Sequence, residues 1–312
     1  MNYLITIIGP TAIGKTSLSI ALAQHFGCEI ISCDSRQFFK EMKIGTAVPS
    51  DDELAAAPHH FIQNKSILEH YSVGDFEKEA LEKLDALFTK NNIQIMVGGS
   101  GLYVDAVLKG FDEFPDIEEG VRSEIKKNYE EKGISYLQDT LKELDINYYN
   151  FLLENNAQTL KNPQRLMRFV EVCIGTGKPY ISFIKKEKKQ RNFTPIVIGL
   201  ESDREIMYNR INQRVDIMML GGLLEEVKPL YKHRNLYPLK TVGYQELFAH
   251  YNEETDLFDN LGFAFEEIKQ NTRRFAKRQM TWFKRTENTI WFDFETDRNK
   301  IIEIINSKIQ NR

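Results

Sequence analysis

The octapeptide Gly9-Pro10-Thr11-Ala12-Ile13-Gly14-Lys15-Thr16 constrains this chain more than any other feature. It matches G-x-x-x-x-G-K-[ST], with an apolar run at 3–8 before it and a helical pattern carrying Leu18, Ala21, Leu22 and His25-Phe26 after it. A strand, a glycine-bounded loop and a helix in that order turn backbone N–H groups inward around an anion. The helix N-terminus adds positive potential and the lysine adds a point charge. Thr16 offers a hydroxyl to Mg²⁺. The motif specifies phosphate binding and leaves the phosphate compound open.

The other apolar runs fit the same architecture. Glu29 to Cys33 ends at Asp34, Ile93 to Val97 stops at Gly98-Gly99, and Pro195 to Leu200 and Thr289 to Phe294 read as two more strands. Between them, Ala80, Leu84, Leu87 and Phe88 follow helical spacing from Phe76, with Asp75 as the expected N-cap. Strands that are apolar throughout and alternate with helices imply a parallel sheet covered on both faces. The stretch 115–191 is rich in Glu, Lys, Leu and Tyr and has helical periodicity alone. The expected fold is α/β: a P-loop NTPase-like parallel sheet core, 1–114 and 192–312, with a helical insertion domain at 115–191. The charge run Lys185-Lys186-Glu187-Lys188-Lys189 reads as a solvated helix face.

A chain of 312 residues, 42% hydrophobic and 28% charged, suits a globular protein with one large core, or with a main domain and a smaller insertion. Cys28, Cys33 and Cys173 are scattered and lack paired metal spacing, which fits a reducing cytosol rather than a disulfide scaffold. The first residues hold no basic segment ahead of the apolar run, and no run reaches membrane-spanning length, so secretion and membrane insertion are disfavoured. His59-His60 has no further Cys or His at ligand spacing and reads as packing beside the core.

Two features point to the chemistry. The third strand ends without the acidic residue that commonly holds Mg²⁺ in P-loop hydrolases, and Asp34 is the acidic strand end nearby. Asp34 therefore either serves the metal or does separate chemistry on a second substrate. The formal charge is −4, yet Ile268 to Arg285 carries Lys269, Arg273, Arg274, Lys277, Arg278, Lys284 and Arg285 with no acid. Phe275, Trp282 and Phe283 interleave with them, and Arg274, Lys277 and Arg278 share a helix face. Cations with aromatics suit phosphate contacts and base stacking on an unpaired nucleic-acid loop.

Several blocks then converge in order. Gly9 to Thr16, Asp34-Ser35-Arg36-Gln37 and Ile44-Gly45-Thr46-Ala47 resemble the opening of the tRNA dimethylallyltransferase (IPP transferase) family. Further matches to the family follow at Pro58-His59-His60, Tyr71 to Phe76, Gly98 to Tyr103, Asn162 to Arg165, Gly175 to Pro179, Gln213 to Asp216, Thr241 to Tyr244 and Thr272 to Phe283. The resemblance implies a cytoplasmic, monomeric enzyme that transfers a prenyl group from dimethylallyl diphosphate to N6 of adenosine 37 in tRNA, with Mg²⁺. It implies a diphosphate held by residues 9–16, and Asp34, Ser100 and Arg214 as catalytic residues. Asp34 would take the proton from N6, and Ser100 stands where the family has Thr. The implied tRNA contacts are Asp34, Ser35, Arg36, Gln37, Ser100, Arg122, Gln164, Arg165, Leu166, Met167, Arg168, Arg274, Lys277 and Arg278. Phe39 and Val48 depart from the usual Tyr and Lys. Two rival readings share the phosphate loop: prenyl transfer to free AMP or ATP, and a small-molecule kinase.

Overall fold

A computed structural model describes residues 1–112, 114–184 and 189–310. Four of the five residues in the charge run at Lys185–Lys189 lie outside the described residues. The described chain divides into two compact units, one of residues 1–109 with 190–312 and one of residues 110–189.

Six strands build the sheet of the first unit: β1 (Asn2–Ile8), β2 (Ile30–Ser32), β3 (His59–His60), β4 (Ile93–Val97), β5 (Phe193–Glu201) and, last in the chain, Ile290–Asp293. A separate antiparallel pair, β6 (Tyr251–Asn252) and β7 (Leu257–Phe258), precedes that final strand, which is therefore β8. The order is β3-β2-β4-β1-β5-β8 and every pairing is parallel. β1 lies inside the sheet and is buried from Tyr3 to Ile8. Its side chains divide between two cores, Leu4 and Ile8 on one side and Tyr3, Ile5 and Ile7 on the other. The alternation places one core on each face of the sheet.

Helices α1 (Lys15–Phe26), α2 (Asp51–Ala56), α3 (Val73–Phe88) and α4 (Gly101–Lys109) connect the first strands. Leu18, Leu22 and Ala23 of α1 pack with Ile5, Ile7 and Ile30, whereas Phe76, Ala80 and Leu84 of α3 pack with Leu4, Ile31 and Met96. The start of α3 corrects the expected cap. Ser72, not Asp75, is the N-cap: its hydroxyl accepts from Asp75 N at 3.2 Å, and Asp75 Oδ2 accepts from Ser72 N at 2.8 Å. This reciprocal box begins the helix at Val73.

Residues 110–189 hold α5 (Glu119–Lys132), α6 (Ile134–Leu144), α7 (Ile146–Asn156) and α8 (Pro163–Thr176) around a core of Ile125, Leu137, Leu141, Leu152, Leu166 and Val170. Asn162 caps α8 by accepting from Arg165 N at 3.1 Å, and Gly177 closes it at φ 64°. Buried Asp145 accepts from Tyr148 N at 2.9 Å and Ile181 N at 2.8 Å. This unit begins at Gly110 rather than Pro115 and ends at Lys189 rather than Arg191. Arg191 belongs to the sheet unit because its guanidinium donates to Glu77 and to the Ala106 carbonyl, both at 2.7 Å.

The sheet unit continues through α9 (Arg204–Leu220), α10 (Leu223–Val227), α11 (Tyr244–His250), α12 (Leu261–Phe283) and α13 (Arg298–Gln310). No helix among the described residues is long and apolar enough to cross a membrane.

The junction of β1 and the following loop depends on one glycine. Gly9 has φ +148°, and a Cβ there would stand 2.7 Å from the Leu200 backbone oxygen of β5. Both strands would have to part to accept it, so Gly9→Ala should cost about 1–3 kcal/mol. Thermal unfolding of the two proteins measures this directly.

Candidate active site

The loops at the C-terminal ends of β1, β2 and β4 converge on one edge of the sheet, where ligands of open α/β folds bind. Residues 9–14 form the first loop. Ala12 is held at φ 63°, an unusual value for a residue with a side chain, and Gly14 lies at φ 105° as the cap of α1. The Arg210 side chain of α9 supports this turn by donating from Nε to the Ala12 carbonyl at 2.8 Å. Lys15 Nζ donates to the Pro10 carbonyl at 2.7 Å. No acid stands in the first turn of α1, so its positive end is left for an anion.

Asp34 follows β2. Its Oδ1 accepts from Arg36 N at 3.1 Å, which fixes the carboxylate in a local turn and leaves Oδ2 beside Gly99. Ser100, just before α4, accepts from Ser35 N at 3.0 Å and lies 2.9 Å, hydroxyl to hydroxyl, from Ser35. Gln37 Nε2 donates to the carbonyls of Thr46 and Ala47 at 3.1 and 2.9 Å. The Ile44–Ala47 turn is held in its turn by Glu226. That carboxylate accepts from Lys43 N (2.9 Å), Ile44 N (2.7 Å), Gly45 N (3.0 Å) and Tyr244 OH (2.6 Å). Tyr244 is fully buried against Gly45, and burial together with the Glu226 charge keeps its phenol protonated.

These loops enclose a cavity of about 840 Å³. Its walls carry Lys15 and Thr16, then Asp34 to Gln37, Ser100 and Arg214, which brings together the three residues expected to be catalytic. Thr11 to Gly14 also line it, whereas Gly9 and Pro10 form the loop behind. Burial lowers the Lys15 ammonium to about 8, against an opposing pull from Asp34 and a further push from Arg214. Arg214 is likewise lowered by desolvation and drawn back by Asp34 and Glu53. An anion entering here meets partly buried cations, where attraction is stronger than in bulk water.

The basic stretch is part of α12, and its seven cations are not equivalent. Arg278 lines the cavity; Arg274 and Lys277 are exposed outside it, and Arg274 donates to Asn271 Oδ1 at 3.1 Å. Lys269 is paired with Asp216 at 2.8 Å and Lys284 with Glu201 at 2.6 Å, so acids from other elements balance two of the seven. The expected stacking role also narrows. Phe283 is fully buried and belongs to the core, while Phe275 and Trp282 line the cavity, Trp282 with its indole N–H on Asp105 at 2.8 Å.

In the helical unit Arg122 is exposed on α5, and Gln164 and Arg165 are exposed at the start of α8. Arg168 pairs with Glu171 at 3.3 Å, and Met167 packs partly against the unit's core. Leu166 is corrected: it is fully buried in that core, so its side chain packs helices and has no surface for RNA.

Sequence reasoning passes over Gln279. This buried α12 side chain accepts from Thr11 N at 2.9 Å and donates to the Gly99 carbonyl at 2.8 Å. It ties the phosphate loop to the loop that precedes Ser100. Arg210 and Glu226 escape for the same reason, since each acts on backbone atoms far away in sequence. His59, expected to be packing, lines the cavity; burial holds its imidazole below the ordinary value, with the Ala57 carbonyl pulling the other way.

A parallel sheet whose first loop surrounds a cationic cavity, with a carboxylate at the next strand end, has the architecture of an α/β phosphate-handling enzyme. Comparison with known proteins narrows the class. Residues 37–286 match the model of the family described as IPP transferase. The chain is 68% identical to a tRNA dimethylallyltransferase of Flavobacterium psychrophilum over the whole of both chains, and 66% identical to that of Flavobacterium johnsoniae over 98% of this chain and 97% of the other. Among solved structures it is similar to the tRNA isopentenylpyrophosphate transferase of Bacillus halodurans: TM-score 0.70, 33% identity, 100% of this chain and 96% of that one. A eukaryotic dimethylallyltransferase acting on tRNA matches with TM-score 0.82 and 25% identity over 100% of this chain and 80% of its own. The chain belongs to the IPP transferase family.

The lowered Lys15 gives a pH signature. An anion binds the ammonium form and raises its pKa, so affinity for inorganic diphosphate is insensitive to Lys15 below about 8 and falls above it, by up to tenfold per pH unit. Calorimetric titration from pH 6.5 to 9.5 should show this break, and the same titration of Lys15→Arg should lack it.

Proposed function

We propose that this chain transfers the dimethylallyl group of dimethylallyl diphosphate to N6 of adenosine 37 in tRNA, leaving N6-isopentenyladenosine and diphosphate. The observation that carries the reading is one cavity lined by two partly buried cations, Lys15 and Arg214, whose pKa burial lowers, and by the Asp34 carboxylate. In the reaction the bond from the prenyl C1 to the diphosphate oxygen breaks and a C1–N6 bond forms. Charge grows on the departing diphosphate, where Lys15, Arg214 and the α1 N-terminus stabilise it. Attack makes the exocyclic amine strongly acidic, and Asp34 accepts its proton. Ser100 places a hydroxyl beside the same base, fixed by its bonds to Ser35.

The residues present fit Mg²⁺. No group of three or more His, Cys, Asp or Glu that could hold a metal occurs among the described residues, so a cation here would rest on Thr16, phosphate oxygens and water, the ligand set that Mg²⁺ prefers. Bound there, it would neutralise diphosphate charge.

The tRNA partner is supported by exposed Arg274, Lys277 and Arg278 on α12 and, in the helical unit, by exposed Arg122, Gln164 and Arg165. The target base has to leave its stack to enter the cavity, which costs least in a single-stranded loop. The enzyme acts as a monomer in the cytoplasm, where its tRNA substrate is found.

A transfer assay with labelled dimethylallyl diphosphate, Mg²⁺ and either unmodified tRNA or AMP tests the reading. Label should enter tRNA alone; label in AMP alone would make this a nucleotide prenyltransferase. Asp34→Asn should lower the transfer rate by about 10²–10⁴-fold with tRNA affinity unchanged, and loss of tRNA binding instead would remove Asp34 from its catalytic role. Replacing Arg274 and Arg278 together by Ala should weaken tRNA binding and flatten its salt dependence, by about one unit of slope for each phosphate no longer neutralised.

A further inference from the structure

Tyr237 is a large aromatic side chain left open on a well-anchored turn. It begins the short 3-10 turn Tyr237–Leu239, whose Pro238 and Leu239 are buried. Hydrogen bonds from Leu239 N to the Leu236 carbonyl at 3.1 Å and from Lys240 N to the Tyr237 carbonyl at 3.2 Å close the turn. The ring lines the cavity, yet the residue is 69% exposed. The Arg36 guanidinium lies over one face, 4.8 Å from the ring centre. With that face covered, so high an exposure leaves the other open to solvent. A lone exposed aromatic is ordinary on a protein surface. An anchored one with a cation behind it, at the wall of a polar cavity, is a surface on which a base can stack.

Arg36 joins this ring to the reacting group. Its backbone N–H donates to Asp34 Oδ1 at 3.1 Å, so one arginine side chain spans the distance from the carboxylate to the ring. The Tyr103 phenol marks the same neighbourhood. Burial pushes it up to about 12, Tyr237 adds to the rise, Arg36 opposes it, and Asp75 and Asp34 contribute the remainder. Lys240 and Arg278, both exposed, line the same cavity and offer positive charge to the phosphates of a strand laid across its mouth.

A base drawn out of its stack toward Asp34 leaves each neighbour in the strand with one bare π face. We infer that Tyr237 stacks on a nucleobase directly flanking the target adenine and so holds the strand where the flipped base leaves it. This rests on the reading of the cavity as the site that receives a tRNA base. Every base has a π face, so the contact adds affinity for an unpaired strand without selecting the flanking base.

The test measures binding of the full chain to three unmodified tRNAs: one intact, one abasic immediately 5′ of the target, and one abasic immediately 3′ of it. Tyr237→Ala should weaken binding of the intact tRNA by about 5- to 150-fold, the range that removal of one stacking side chain gives. Tyr237→Phe, which keeps both ring faces, should recover most of the affinity. On one abasic tRNA the wild type should bind as weakly as Tyr237→Ala binds the intact one, and Tyr237→Ala should lose nothing further. That tRNA identifies the stacked neighbour. Affinity for inorganic diphosphate and thermal unfolding should stay at the wild-type values. Should Tyr237→Ala fail to fold, Tyr237→Leu set against Tyr237→Phe makes the same comparison. Wild-type affinity in Tyr237→Ala overturns the inference. So does equal weakening on all three tRNAs, which would place the contact away from the flanking bases. A Phe variant as weak as Ala, or a parallel loss of diphosphate affinity or stability, overturns it too. The transfer assay separates the two readings. Label reaching tRNA while Tyr237→Ala binds normally sinks the role of Tyr237 alone. A wild type that neither binds nor labels tRNA sinks the tRNA reading, and this inference with it.

Discussion

The site depends on one amide side chain bridging two loops. Gln279 reaches out of α12, receives the Thr11 N–H and donates to the Gly99 carbonyl, 2.9 and 2.8 Å away. The first loop surrounds the anion site and the second leads into Ser100. Close packing fixes the approach further, because a methyl group on Gly99 would collide with the Gln279 amide. The phosphate loop and the loop before Ser100 are thus held by one residue on the helix whose Arg278 also lines the cavity, and in the proposed reaction these would be the donor and acceptor sides. A bimolecular transfer gains most from such fixed distances, since a displacement of about 1 Å can cost on the order of 10²-fold in rate.

Around this bridge the protein uses partly buried polar groups to hold backbone rather than to react. Glu226 gathers three successive N–H groups of the turn at Lys43–Gly45 and the Tyr244 hydroxyl, and Gln37 then holds the carbonyls of Thr46 and Ala47. Arg210 steadies the left-handed Ala12 by donating to its carbonyl. Satisfied networks of this kind rigidify a site. Lys15, Arg214 and Asp34 line the cavity among several other charged side chains, and burial lowers the pKa of the first two.

Much of this is legible in the sequence. The strands at 3–8, 93–97 and 195–200 are visible because a covered parallel sheet demands uninterrupted apolar runs, and the phosphate loop because its glycines and lysine are contiguous. Asp34, Ser100 and Arg214 are placed through the family resemblance, and the fold brings them into one cavity. What escapes is long-range. Gln279 bonds to residues 268 and 180 positions away, and periodicity carries no such information. Leu166 and Phe283 sit within polar motifs and are easily grouped with their neighbours, yet helical geometry turns them into the core. Ser72 displaces Asp75 as the cap because both residues belong to one reciprocal box, in which the upstream partner marks the boundary. The two-residue β3 is too short for any pattern to announce it.

Single-turnover transfer by Gln279→Ala tests the central claim most directly, with preformed enzyme–tRNA complex mixed against labelled dimethylallyl diphosphate. If Gln279 sets the distance between the donor and acceptor sides, the rate of the transfer step falls on the order of 10²-fold while both dissociation constants stay within a few fold of wild type. An unchanged transfer step, with any loss confined to donor or tRNA binding, would contradict the account.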